Sequence, residues 1–142
     1  MADIDIGAIS EALNNKVDLP SPIVPQDAVD YVIAMQRPTA ANNYTWYRKY
    51  KSGWVEQGGR TTTFTNTANS TGEGKTITLP VVMLDSNYTV TTTRAGGGSG
   101  WSWREIIVDN KTTTGFTISE WTNSAASGTT CYAEWRISGM SA

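Results

Sequence analysis

From residue 42 onward the chain is a succession of short runs rich in Thr, Val, Ile, Tyr and Trp, each closed by residues that turn a backbone. β-branched and aromatic side chains suit a pleated, half-buried surface. The candidate strands are 43–51, 54–58, 61–67, 75–83, 87–94, 101–108, 114–121 and 129–138. Between them stand Ser52-Gly53, the Thr71 to Gly74 run, Asp85-Ser86-Asn87, the Gly96 to Gly100 run, Asp109-Asn110-Lys111 and Ser127-Gly128. Gly takes positive φ without steric cost, and Asn, Asp and Ser bond their own backbone. Short strands at this spacing predict an antiparallel β-sandwich or a barrel, and the sandwich is the expectation carried forward.

Alternation picks out the core. Tyr88 with Val90, Phe116 with Ile118, Ile77 with Leu79, and Cys131, Ala133, Trp135 and Ile137 each fall on one face of their strand. Pro80 sits inside its run and either ends that strand or places it at an edge. The Thr runs 61–63, 91–93 and 112–114 read as exposed strand faces.

The first forty residues differ. They hold four of the five prolines and no Trp. Ile6, Ile9, Leu13 and Val17 form an apolar stripe that predicts a helix over 7–17. Two heptads are too few to stand alone, so the stripe needs the same helix of other subunits or the β domain. Prolines 20, 22 and 25 then favour extended chain. A second short helix is expected from Gln26 to Gln36, because Val29, Val32 and Ile33 share a face. Two parts are therefore expected: 1–40, a helical and extended stem that serves oligomerisation, and 41–142, a β-sandwich.

Composition narrows the function. A net charge of −2 with no basic run does not suit a phosphate backbone or an anionic membrane, and no stretch reaches the roughly 18 apolar residues of a membrane span, so neither nucleic acid nor membrane insertion is expected. Histidine is absent, which removes the commonest general base and metal ligand; no cofactor is expected. The single cysteine, Cys131, lies on the Trp135 face and reads as a small buried hydrophobe. The N-terminus lacks a secretory pattern, and synthesis in a cytoplasm is expected.

The stretch Trp46 to Gly59, WYRKYKSGWVEQGG, carries a hairpin turn at Ser52-Gly53 and a Gly-Gly stop. It resembles a motif of bacteriophage and prophage tail-fibre C-terminal domains through Trp46, Tyr47, Tyr50, Gly53, Trp54, Gln57 and Gly59. The likeness continues through ITLPVVMLDSNYTVTTT and ends in YAEWRISGMSA. It implies a receptor-binding fibre tip, a homotrimer and a place in a virion tail. The implied partners are a bacterial surface glycan or protein and upstream tail-fibre proteins. Metal-binding histidine motifs of related tips have no counterpart here.

Two candidate ligand surfaces follow from the residues themselves. Tyr44, Trp46, Arg48 and Tyr50 share a strand face, with Tyr47 opposite; they are a stacking surface for sugar rings or filling for a core or subunit seam. Gly96 to Gly100 precedes Trp101-Ser102-Trp103, and Arg94 ends the strand before it. Arg94, Trp101 and Trp103 are the expected ligand-binding residues; otherwise the glycines are only a hairpin connection. A phosphate-cradling role does not fit, since a strand rather than a helix comes next.

Glu56, Glu73, Asp85, Glu105, Asp109, Glu120 and Glu134 are the carboxylates of the β part. A glycosidase needs two of them about 5–10 Å apart. Asp85 and Asp109 sit in turns, and Arg104 and Arg136 are available to mid-strand Glu105, Glu120 and Glu134 as cross-strand partners. No catalytic residue is expected. Sequons at Asn43, Asn69, Asn87 and Asn110 follow from Asn- and Thr-rich composition. Besides the non-catalytic adhesive tip, two functions stay open: a structural or trimerisation unit, and a carbohydrate-binding module or glycan-degrading tailspike-type enzyme.

Overall fold

The computed structural model describes residues 29–65, 70–72, 74–96, 104–123 and 130–142. The helix expected over 7–17 and both Trp101 and Trp103 lie outside these residues. A compact unit spans Val32–Ala142. Its strands are β1 Val32–Gln36, β2 Trp46–Tyr50, β3 Trp54–Arg60, β4 Phe64–Thr65, β5 Ser70–Thr71, β6 Lys75–Thr78, β7 Thr89–Ala95, β8 Arg104–Thr112, β9 Gly115–Thr122 and β10 Thr130–Met140.

All described pairings are antiparallel. The larger sheet runs β1-β2-β3-β10, with β7 on the far side of β10 and β4 extending the β3 side. The smaller sheet is centred on β9, flanked by β8 on one side and by β5 and β6 on the other. Their facing sides share one core: Val55, Phe64, Ile77, Leu79, Met83, Tyr88, Phe116, Ile118, Cys131, Ala133, Trp135 and Ile137, with Val90 partly buried against them. Phe116 of β9 meets Trp135 of β10 edge to face, their centroids 5.6 Å apart. The expected alternation thus holds along β6, β9 and β10, and the molecule is a two-layer β-sandwich.

The helix expected over Gln26 to Gln36 is corrected. Val32–Gln36 is an edge strand, paired Met35↔Arg48 and Gln36↔Tyr47. Val29, Val32 and Ile33 fit a helical face on paper. But Val and Ile stiffen χ1, and the open edge of β2 offers the backbone a ladder that a lone turn of helix cannot match. The expected turn at Asp109-Asn110-Lys111 is also corrected. β8 runs on to Thr112, and Asn110 takes φ 52° where the β8–β9 register slips. The strand expected over 61–67 shrinks to Phe64–Thr65 among the described residues. Thr61 instead donates its amide to the Ala133 carbonyl and receives the Ala133 amide on its hydroxyl, both at 2.9 Å. The run 75–83 ends at Thr78, two residues before Pro80.

The hairpin between β2 and β3 is as expected. Gly53 takes φ +87° and its amide donates to the Tyr50 carbonyl at 3.0 Å. Among the described residues no helix is long and apolar enough to cross a membrane.

Candidate functional site

The outward side of the larger sheet gathers the polar and aromatic residues that alternate with the core. From β3 these are Glu56, Gly58 and Arg60; from β10, Tyr132, Glu134 and Arg136; from β2, Trp46 and Arg48. Register brings them together: Trp46 faces Gly58, Arg60 faces Glu134, and Arg48 faces Glu56.

Gly58 is what lets Trp46 lie flat on the sheet. A Cβ there would stand 2.8 Å from the Trp46 Nε1 and 2.7 Å from the Trp135 carbonyl. Arg136 approaches the same indole, its guanidinium 5.7 Å from the ring centroid, and donates to Glu56 at 3.0 Å. The other Glu56 oxygen accepts from Tyr50 at 3.4 Å.

Arg60 lies against two rings, 4.4 Å from the Tyr44 centroid and 4.2 Å from that of Tyr132. Its Nη2 donates to Glu134 at 2.8 Å, and that bond raises its already high pKa further. Tyr44 reaches this place because Asn43 and Tyr44 both adopt positive φ, 51° and 55°. The Arg60 amide donates to the Asn43 carbonyl at 2.9 Å and holds the loop to the sheet. The Gln36 side chain donates to the Thr45 carbonyl at 3.0 Å and ties β1 to it.

Two shallow depressions occupy this face. One, about 430 Å³, is lined by Tyr44, Trp46, Arg60, Thr91, Glu134 and Arg136 among others. The second, about 500 Å³, is lined by Met35, Arg37, Trp46, Arg48, Glu56 and Arg136 among others. They share Pro38, Trp46 and Arg136 and so adjoin.

The other expected site lies at an end of the sandwich. Arg94 points inward there. Its Nε donates to Glu120 at 2.5 Å and its Nη1 to the Gly96 carbonyl at 3.0 Å. Glu120 is fully buried and also has Arg104 at 3.7 Å. Nearby, burial and then the hydrogen bond to Glu120 push the Cys131 thiol up to about 11. Arg94 thus has a structural task, joining β7 of one sheet to β9 of the other.

Carboxylates are largely committed. Glu56, Glu120 and Glu134 are each paired with an arginine, and Asp85 accepts the Asn87 amide at 2.7 Å as its turn requires. Among the described residues no group of three or more metal-ligating side chains gathers.

No protein-family model matches the sequence, and no curated protein matches it either. Solved structures do match in fold. An N-truncated R1-type pyocin tail fibre aligns over 96% of this chain and 97% of its own, at 13% identity and a TM-score of 0.54. The fold is that of a tail fibre. A second R1 pyocin fibre, from P. aeruginosa and comprising its C-terminal residues 323–701, aligns over 96% of this chain at 12% identity and a TM-score of 0.52. This chain spans 32% of that longer one.

Within that fold each residue of the Trp46–Gly59 stretch has a physical reason. Trp46 needs Gly58, Gly53 makes the turn, and Gly59 passes Trp135, where a Cβ would stand 2.9 Å from the ring. Gln57 is buried and bonds backbone across the core. Of the face that Tyr44, Trp46, Arg48 and Tyr50 were expected to share, Trp46, Arg48 and Tyr50 are on β2 and Tyr44 joins from the loop before it. Arg60, Tyr132, Glu134 and Arg136 were not singled out as site residues. The signal for three of them was present: Tyr132, Glu134 and Arg136 alternate with the core residues of β10.

Proposed function

We propose that this chain is a phage- or prophage-type tail-fibre tip that binds a bacterial surface receptor, a glycan, without chemistry. The observation that carries this reading is the fold match to an N-truncated pyocin tail fibre, with 96% of one chain laid on 97% of the other. The outward sheet face supports it. Trp46 and the Tyr44–Arg60–Tyr132 group offer flat apolar surfaces with polar groups beside them, which suits sugar rings that are apolar on one face and hydroxylated at the edge. Arginine-paired carboxylates suit binding better than general acid catalysis, which needs a carboxyl that holds its proton near neutral pH.

Two sets of residues compete for the receptor: this face, and the expected set Arg94, Trp101 and Trp103. The engagement of Arg94 with buried Glu120 favours the face. We further propose a homotrimer that docks on upstream fibre proteins, since separate weak sites on one axis gain about 10²–10⁴ in avidity.

Adsorption of the purified chain to a panel of bacteria, before and after periodate oxidation of their glycans, tests the reading. Adsorption to some strain that periodate abolishes, with no release of reducing ends, is the expected result. Adsorption to no strain, or adsorption that periodate spares and protease removes, overturns the glycan receptor.

A further inference from the structure

If the outward sheet face is adhesive, as proposed, its charge selects among ligands. Four arginines, Arg37, Arg48, Arg60 and Arg136, line the two depressions, against two carboxylates, Glu56 and Glu134. The carboxylates are consumed locally: Glu134 pairs with Arg60 at 2.8 Å and Glu56 with Arg136 at 3.0 Å. Arg37 and Arg48 are exposed and form no ion pair among the described residues. The face therefore carries surplus positive charge on a chain whose net charge is −2. That surplus sits in the second depression, at one side of Trp46, while Tyr44 and Arg60 line the first and Tyr132 lies against Arg60. Each depression falls within the usual range of ligand sites, about 300–1,000 Å³.

We propose that this face binds an acidic saccharide. Sugar rings lie along Trp46 and the Tyr44–Arg60–Tyr132 group, and a carboxylate or phosphate on the saccharide meets Arg37 and Arg48. A guanidinium is a planar fork of donors that matches either anion, and both groups would carry this chemistry. A neutral glycan leaves both arginines without a partner. A regular nucleic-acid backbone meets Glu56 and Glu134 at the same place, and the intermingled carboxylates repel it. A saccharide with spaced charges avoids that conflict.

The test is an array of bacterial surface polysaccharides printed in three forms: native, carboxyl-reduced and dephosphorylated. It is probed with the full chain and with the double variant Arg37→Gln, Arg48→Gln. The parent is expected to bind at least one acidic polysaccharide. That signal should vanish on carboxyl reduction if the anion is a carboxylate, or on dephosphorylation if it is a phosphate. The double variant, whose exchanged residues hold no ion pair among the described residues, should keep the parent's melting temperature and mass and bind at least about tenfold more weakly. Binding to neutral polysaccharides alone overturns the inference, as does a double variant that binds like the parent. So does a change of mass in the variant, which would make the face a contact between copies. Glycan binding that survives in the variant leaves the adhesive reading standing and sinks only this site. Binding to no polysaccharide on the array sinks both.

Discussion

The side-chain amide of Gln57 holds both backbone polar atoms of Val81. Its Nε2 donates to the Val81 carbonyl at 2.8 Å, and its Oε1 accepts from the Val81 amide at 3.0 Å. Gln57 is fully buried on β3, whereas Val81 lies in the irregular stretch after Pro80. Val81 belongs to no strand, and the glutamine supplies the two bonds that a ladder would. Its Nε2 also approaches the Met83 sulfur at 3.2 Å. The larger sheet is thereby tied to the connection that leads from the smaller sheet back to β7.

Gln57→Leu keeps the volume and removes both bonds. Two backbone groups are then left short of partners, each at about 1–3 kcal/mol when water cannot reach them. Val81 is only partly buried, so a total loss of about 2–4 kcal/mol is expected in denaturant melts. A change below about 0.5 kcal/mol, the range of ordinary surface substitutions, would show that the clamp carries no stability.

Trp135→Ala should cost about 3–5 kcal/mol, the range for deleting a large buried ring. The ring is 4% exposed and packs edge-on against Phe116. Gly59→Ala should also destabilise, because a Cβ there stands 2.9 Å from that ring. A Trp135→Ala loss under about 1 kcal/mol would refute the register of β10.

Arg94→Met should lower stability even if binding is untouched. It strands the buried Glu120 carboxylate, a loss of about 3 kcal/mol, at the low end for a broken buried pair because Arg104 stays 3.7 Å away. Adding Glu120→Gln should restore part of it, since the buried negative charge goes while an acceptor stays near Arg104. Melts in which the single variant matches the parent would mean that Arg94 is free for a ligand after all.

Cys131 should resist thiol reagents at pH 8 in the native protein and react once it is unfolded. Its thiol is held protonated to about 11, against 9.0 without the fold's influence. A folded pKa above the unfolded one means stability present below pH 9 and lost as pH rises toward 11. Cys131→Ala should lack that part of the decline. Rapid labelling of the native protein at pH 8 would be incompatible with the burial.

How much of this was readable from the residues depends on what each signal measures. The core along β9 and β10 was legible because period-two alternation is a local property, and Phe116, Ile118, Trp135 and Ile137 obey it. β1 was not, because adjacent Val32 and Ile33 show no period-two alternation and share a helical face with Val29, so only the waiting edge of β2 decides. The site was half legible. Trp46 and Arg48 showed on the strand pattern, but Arg60 and Glu134 meet through a pairing of β3 with β10 across seventy-odd residues. Arg94 read as a ligand-binding residue because nothing local announces that Glu120 lies buried in the facing sheet.

The outward face of the larger sheet, and not the Gly96–Trp103 segment, is the surface proposed to meet the receptor. Hydroxyl-radical footprinting of the chain bound to an acidic polysaccharide selected on the array reads side-chain shielding at both places at once. Met35, Tyr44, Trp46 and Tyr132 should be protected, with Trp101 and Trp103 oxidised as in the free chain. Protection of Trp101 and Trp103 with those four unchanged would place the receptor on those two residues and overturn the assignment.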